Sequence, residues 1–380
     1  MTGQSGNRSG GVTLIGGGFV ADLYMRSLRT FPDLPVHGVH DRDPERLRAF
    51  TGHWSLPGFQ SLEAAIAATP PDGVILNLTN PASHAEVSRT ALAARRHVWS
   101  EKPLALTMAE ARELAELALS RGVQIASAPA SVLGEAAQTL IRAVRAGTAG
   151  TPRLAYAELD DGFIPQAPLD AWQSESGAPW PWQDEFDTGC TLEHAGYYLS
   201  WLIALFGPVT SLTAASAALL PDKRGYTGGT PDFSTATLFF TGGMAARLTC
   251  SIIAPHDHRI RVIGDAGVLQ VDRAWDNAAP VRFRKRMTVR RRLMEHPLGR
   301  RIKPEGKGHP KVSRKGAAAM NFALGPVEML RAIAAGRESR LAGAYALHLN
   351  EVTLAIQNAG RGGADIRLTT TCAPMEPMEW

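Results

Sequence analysis

Short continuous apolar runs alternate with longer helical stretches over the first third of the chain. The runs Val12 to Ile15, Val36 to Val39, Gly73 to Leu78, His97 to Ser100 and Val123 to Ser127 have the length and content of strands buried on both faces. Strand and helix in alternation predict an α/β fold with a doubly wound parallel sheet. Ser83 with Glu86 and Thr107 with Glu110 have the S/T-x-x-E spacing of a helix start. These starts place Asn77 to Pro81 and Glu101 to Leu106 at the carboxyl ends of strands, the ligand edge of such a sheet. Past Pro129 the pattern changes. A helix from about Val132 to Ala146 ends at Gly147, and Arg153 to Leu159 reads as a strand. Strand candidates follow at Val209 to Ala215, Ser234 to Phe240, Met244 to Ile253, Arg259 to Ile263 and Val268 to Val271. Their tight turns predict a second, mainly antiparallel sheet. Helices Asn321 to Ala335 and Tyr345 to Asn358 are expected to pack on that sheet or to return to the first domain. The expected organisation is a tail at 1–11, one domain at 12–128 and a second at 129–380.

At 380 residues the chain can bury two ordinary cores. It has no apolar run of about 18 residues, so no transmembrane segment is expected. The polar start, Met1 to Gly11, lacks a signal peptide's apolar stretch and is expected to be disordered. Cys190, Cys250 and Cys372 offer neither a disulfide framework nor metal-ligand spacing, and a cytoplasmic location is expected. The formal charge of +4 is unevenly spread. Between Arg282 and Lys315 fourteen Lys and Arg face only Glu295 and Glu305, a net +12, which leaves −8 for the rest. The basic segment, 276–318, is expected to be a mobile, solvated insert, or a surface for an anionic partner, a membrane headgroup layer or a phosphorylated substrate. It has no interleaved aromatics or nucleic-acid motif, so nucleic acid is not an expected partner.

Directly after the first apolar run stands Gly16-Gly17-Gly18-Phe19-Val20-Ala21, a G-x-G-x-x-A spacing. Gly16 suits a tight turn, Gly18 admits a pyrophosphate close to the backbone, and Ala21 lets the helix approach the sheet. The phosphates would sit at the positive end of that helix, against the Phe19 and Val20 N–H groups. The second run ends at Asp41, where a carboxylate would accept from ribose hydroxyls and so favour NAD. Arg42 beside it could accommodate the 2′-phosphate of NADP, and Asp41 could instead simply cap the turn into Pro44.

At Glu101-Lys102-Pro103 the chain resembles the Gfo/Idh/MocA oxidoreductases. The likeness extends over Ile15 to Ala21, Asp41, Thr79-Asn80-Pro81 with His84, His97-Val98, Gly189 to Trp201 and Ile263 to Val268. It implies a Rossmann domain binding NAD(P) and a C-terminal α+β domain with an open-faced sheet. It also implies a homodimer or homotetramer formed through that sheet. Thr79, Asn80, His84 and Glu101 are implied to be cofactor-binding, and Lys102 to reach both the nicotinamide ribose and the substrate hydroxyl. A cation there would stabilise a developing alkoxide.

The chain departs from the family at Gly189 to Tyr198. His194 stands where Asp is usual and Tyr198 where His is usual. Four residues apart on a helix, both can touch one ligand. A tyrosine, with an ordinary pKa near 10, needs a neighbouring cation to accept a proton, and Lys102 is the candidate. His194 titrates near neutrality and is the alternative proton carrier. Upstream, Trp172, Trp180 and Trp182 lie in an irregular stretch, Ala171 to Asp187. They are candidates for stacking on a sugar ring or for wedging a loop in place. His256-Asp257-His258 would put two imidazoles on one strand face without a third ligand, so no metal is expected.

The function these residues imply is an NAD(P)-dependent dehydrogenase. Its substrate would be a secondary alcohol of a sugar, cyclitol or sugar derivative, free, phosphorylated or nucleotide-linked. Two other readings stay open: a cofactor-retaining epimerase, lyase or glycosidase, and a non-catalytic cofactor-binding regulator or scaffold.

Overall fold

In the computed structural model, which describes residues 10–306 and 308–379, the chain forms two compact units. One takes residues up to 128 with 170–180 and 325–343; the other takes 129–169, 181–324 and the chain from 344. The expected disordered tail lies outside the described residues as far as residue 9. Gly11 O accepts from the Val74 N–H at 2.9 Å.

The first unit runs β1 (Val12–Ile15), α1 (Phe19–Leu28), β2 (Val36–His40), α2 (Pro44–Trp54), α3 (Leu62–Ala68), β3 (Val74–Asn77), α4 (His84–Ala93), β4 (His97–Ser100), α5 (Met108–Arg121) and β5 (Ile125–Ser127). Its five strands pair in parallel in the order β2-β1-β3-β4-β5. Leu14, Val74, Ile75, Leu76, Val98 and Trp99 have no exposed surface, because helices cover both faces of the sheet. Beyond β2 the chain adds a rudimentary strand, with the Phe59 N–H on Val39 O at 2.8 Å. Strand order reverses between β1 and β3, the switch point at whose carboxyl ends open α/β sheets bind ligands.

One of the two predicted caps forms. The Glu110 N–H donates to Thr107 Oγ1 at 3.2 Å, and the Thr107 hydroxyl donates to the Glu110 carboxylate. At α4 the box is absent. Pro81–Ser83 is already a 3-10 turn that runs into the helix, so Ser83 has helical dihedrals and its side chain caps nothing.

The second unit contains α6 (Glu135–Arg145), β6 (Pro152–Phe163), α7 (Trp182–Thr188), a π-helical turn at Thr191–Ala195 and α8 (Gly196–Phe206). Then come β7 (Val209–Ala217), β8 (Phe233–Phe240), β9 (Ala245–Ser251), β10 (Ile253–Asp257), β11 (Ile260–Gly264), β12 (Gly267–Val271), β13 (Val281–Val289), β14 (Arg292–Glu295), β15 (Arg300–Arg301), a helix at Gly343–Gln357 and β16 (Ala364–Arg367). They form an 11-stranded sheet, β14-β13-β12-β11-β6-β9-β8-β7-β16, with β10 on β6 and β15 on β13. Within this sheet, only the β6–β9 pairing is parallel among the described strands. Tyr198, Leu199, Trp201, Leu202 and Ile203 bury α8.

Two segments are more regular than their sequence suggested. Trp182 to Thr188 is helical, where the end of the stretch Ala171 to Asp187 reads as irregular. Part of the basic segment is an antiparallel hairpin, β13 and β14, in which Thr288 pairs with Leu293 and Val289 with Arg292. Arg282, Arg290, Arg291 and Arg292 are exposed, and Arg284 and Arg286 are half-buried. No described helix is long and apolar enough to cross a membrane.

Candidate functional site

Gly16, at φ +100°, could not carry a side chain: a Cβ there would fall 2.7 Å from Leu78 O. This turn aims the chain from β1 into α1. Nothing lies within 4 Å of the Cβ position of Gly18, the N-cap of α1, and no side chain caps that helix. The free N–H groups of a first turn, with open space before them, suit an anion. Asp41 directly follows β2. Its Oδ2 accepts from the Gly17 N–H at 2.8 Å and its Oδ1 from the Asp43 N–H at 2.8 Å. It therefore shapes the turn and also places a carboxylate beside the glycines. Arg46 lies 3.6 Å from it, and Arg42 is exposed. The residues present fit a dinucleotide.

At the carboxyl end of β3, Asn77 organises the loop that follows. Its amide donates to His84 O and Ser88 Oγ, and its Oδ1 accepts from the Thr79 hydroxyl at 2.7 Å. His84 has no exposed surface, and its ring nitrogens lie 2.7 Å from Pro103 O and 3.0 Å from Thr79 O. Burial holds this imidazole below its ordinary pKa. It clamps the loops after β3 and β4 together from behind. Asn80 is half-buried at the start of the 3-10 turn.

Glu101 is buried, with Oε1 accepting from the Tyr24 hydroxyl at 2.6 Å and Oε2 from the Lys102 N–H at 3.1 Å. Trp99 Nε1 donates to the same Tyr24 oxygen at 2.7 Å. Lys102 follows half-buried, before a cis peptide to Pro103. In the same unit Trp172 and Trp180 meet edge to face at 5.1 Å. The Ser176 hydroxyl between them donates to Asp22 on α1 at 2.7 Å, which fastens this loop to the Rossmann helix.

The second unit gathers a cluster of imidazoles and carboxylates. His194, in the π turn, has Nδ1 3.7 Å from Asp161 Oδ2 and Nε2 3.4 Å from Glu185 Oε2. Its ring stacks at 6.1 Å on Trp275, which also lies 4.4 Å from His258 and 5.0 Å from Tyr197. His256 and His258 stand ring to ring at 3.8 Å, and both present Nε2 to Asp161 Oδ1, at 3.8 and 3.3 Å.

Tyr198 is one turn from His194 and has no exposed surface. Its hydroxyl has no hydrogen-bond partner among the described residues. Burial, then the charges of Asp161 and Asp257, push this phenol well above its ordinary pKa. This disfavours Tyr198 as a base. Trp182 packs 5.8 Å from Phe186, under the Arg224 guanidinium.

Asp161, Glu185 and Trp275 are not singled out by any motif. The available signal was Asp160-Asp161 in place of apolar alternation at the end of a strand. On either side of Trp275 in the chain, Arg273 and Asp276 line a cavity of about 510 Å³ with His309, Lys311, Arg314 and Lys315. The Ala274 N–H donates to His258 O at 2.9 Å, so the backbone beside this basic wall is tied to the cluster.

Residues 11–128 match the model of an oxidoreductase family with an NAD-binding Rossmann fold, and 137–270 match the GFO/IDH/MocA C-terminal domain. Over 271 residues the chain is 26% identical to trans-1,2-dihydrobenzene-1,2-diol dehydrogenase of Mus musculus, spanning 69% of this chain and 74% of that protein. Its fold is similar to that of aldose-aldose oxidoreductase from Caulobacter crescentus complexed with glycerol. That likeness has a TM-score of 0.72 and 19% identity over 95% of this chain and 100% of the other. It is also similar to the WlbA dehydrogenase from Bordetella pertussis in complex with NADH and UDP-GlcNAcA. Here the TM-score is 0.68 and the identity 18%, over 95% and 99% of the two chains.

Proposed function

The chain belongs to the Gfo/Idh/MocA oxidoreductase family, and from that we propose that it is an NAD(P)-dependent dehydrogenase acting on a secondary alcohol of a sugar, cyclitol or sugar derivative. The carrying observation is the buried His194 imidazole, with carboxylates of Asp161 and Glu185 facing its two nitrogens.

When bound, the nicotinamide supplies the hydride chemistry. The Gly16 to Val20 turn and the α1 N-terminus hold the pyrophosphate, and Asp41 accepts from the adenosine ribose. Asn77, His84 and the Tyr24–Glu101 pair fix the two loops that carry Thr79, Asn80 and Lys102. Lys102, in the role the family resemblance implies, polarises the substrate oxygen. His194 takes the hydroxyl proton on a ring nitrogen, and the imidazolium so formed is stabilised by Asp161 and Glu185. Tyr198 stays protonated and donates. The half-buried rings of Trp172, Trp180 and Trp182 are candidates to meet the substrate's apolar face.

The basic cavity beside Trp275 favours a substrate that carries a phosphate or nucleoside diphosphate. A dehydrogenase related in fold, from Bordetella pertussis, is complexed with a nucleotide sugar, UDP-GlcNAcA. The test is NAD(P)H absorbance against free sugars and nucleotide sugars. We expect turnover with the latter, and His194→Asn should lower kcat by roughly 100-fold or more while sparing cofactor affinity. An unaffected kcat would remove His194 from the mechanism.

A further inference from the structure

We propose that Asp161, His256 and His258 form a binding site for one divalent transition-metal ion of the zinc type, with an open position facing His194. The three ligand atoms all lie within 4.8 Å of one another. Both imidazole Nε2 atoms converge on the same carboxylate oxygen, Asp161 Oδ1, at 3.3 and 3.8 Å. Ligands held about 2.0–2.2 Å from a common tetrahedral ion are roughly 3.3–3.5 Å apart, so a small adjustment seats the ion.

An independent observation points to a missing ligand. His258 is 4% exposed, and its Nε2 has no hydrogen-bond partner among the described residues. A buried imidazole nitrogen that faces a carboxylate oxygen at 3.3 Å without making a hydrogen bond to it is poorly satisfied, and an ion between the two would satisfy both. The surroundings hold the ligands in place. Trp275 lies against the His258 ring at 4.4 Å, and the Ala274 N–H fixes the His258 carbonyl. The pairing of β10 with β6 shifts register between Ala254 and Asp257, so the strand is irregular where His256 leaves it.

Two imidazoles and one carboxylate suit Zn2+, Co2+ or Fe2+ better than Mg2+ or Ca2+. Three protein ligands leave a position for water or a substrate oxygen, as in catalytic rather than structural zinc sites. On the dehydrogenase reading, that position would hold a substrate hydroxyl next to His194, and the ion would polarise it. The binding site itself does not depend on that reading.

The experiment is titration of the chelator-treated full chain with Co2+, read by visible d–d absorption without substrate or cofactor. The expected result is a band that saturates at one Co2+ per chain and is displaced by Zn2+. Asp161→Asn and His258→Asn should each weaken binding more than about 100-fold, since even outer-shell partners are worth 10–100-fold. His256→Asn should do the same. The His256 side chain is 60% exposed, so this variant keeps the fold if the buried ones do not. His194→Asn should leave Co2+ affinity within a few-fold. Absence of a saturable band, or equal affinity in wild type and His256→Asn, would overturn the site. Because the readout needs no turnover, a failure here is distinct from a failure of the dehydrogenase assignment.

Discussion

The Tyr24 hydroxyl donates a 2.6 Å hydrogen bond to the Glu101 carboxylate, joining α1 to the segment after β4. The same oxygen accepts from Trp99 Nε1, so one buried chain of hydrogen bonds fixes the carboxylate beside Lys102. Tyr24→Phe removes the middle of that chain and leaves a buried carboxylate oxygen and an indole N–H without their partner. We expect a loss of about 1–3 kcal/mol, measured by urea denaturation. NADH affinity should weaken by roughly tenfold in fluorescence titration. Unchanged stability would mean that water replaces the phenol.

Asp41 is expected to make NAD(H) bind more tightly than NADP(H), because a carboxylate held beside the glycine turn at the end of β2 would repel a 2′-phosphate. Asp41→Asn should narrow the gap. It removes the charge but keeps an oxygen for the Gly17 N–H, which Asp41→Ala would not. Fluorescence titration with both cofactors decides this, and tighter NADP(H) binding by the unaltered chain would assign the 2′-phosphate to Arg42 and Arg46.

Tyr198→Phe deletes a buried hydroxyl that has no hydrogen-bond partner among the described residues. Its stability should equal or exceed that of the wild type by up to about 1 kcal/mol. If His194 moves the proton, kcat should fall less than tenfold in this variant. A drop of roughly 100-fold with intact stability would transfer the role to Tyr198.

His84 carries a pH dependence whose sign follows from its burial. The folded chain holds this imidazole below its ordinary pKa, while the unfolded chain protonates it near pH 6.5. Below that pH the unfolded state binds more protons, so the His84 contribution is present above the unfolded pKa and lost as pH falls. The slope from this one group is at most about 1.4 kcal/mol per pH unit. Denaturation curves between pH 7.5 and 5 should show a shallower acid slope for His84→Asn than for wild type. Identical slopes would refute the assignment. The comparison is with wild type because burial also lowers the pKa of His97, His309 and His348.

The elements that could be read from the sequence are those whose cause is local. β1 and β4 have the expected bounds because each carries apolar residues buried on both faces of the sheet, Val12, Leu14 and Ile15 in one and Val98 and Trp99 in the other. The turn at Gly16 was legible because only a small residue fits against Leu78 O. The cap at Thr107 was legible because both partners lie within one helical turn. The same spacing at Ser83 failed because Pro81 had already started a tighter helix.

The rest of the site depends on which strands and helices become neighbours. That two histidines spaced i and i+2 share a face follows from the strand period. That Asp161 comes to meet them follows only from β10 lying antiparallel to β6, with Ala254 opposite Gly162. Cys190 and Cys250, far apart along the chain, likewise become buried neighbours, with the Cys250 thiol donating to Cys190 O at 3.5 Å. Tyr24 reaches Glu101 across 77 residues of sequence. Periodicity, caps and turn sterics act over a few residues, so the sequence by itself determined the strands of the Rossmann sheet, its glycine turn and its family. Cross-strand register and helix-to-sheet packing are set by burying the whole apolar surface at once, so only the tertiary structure decided which carboxylates face His194, His256 and His258.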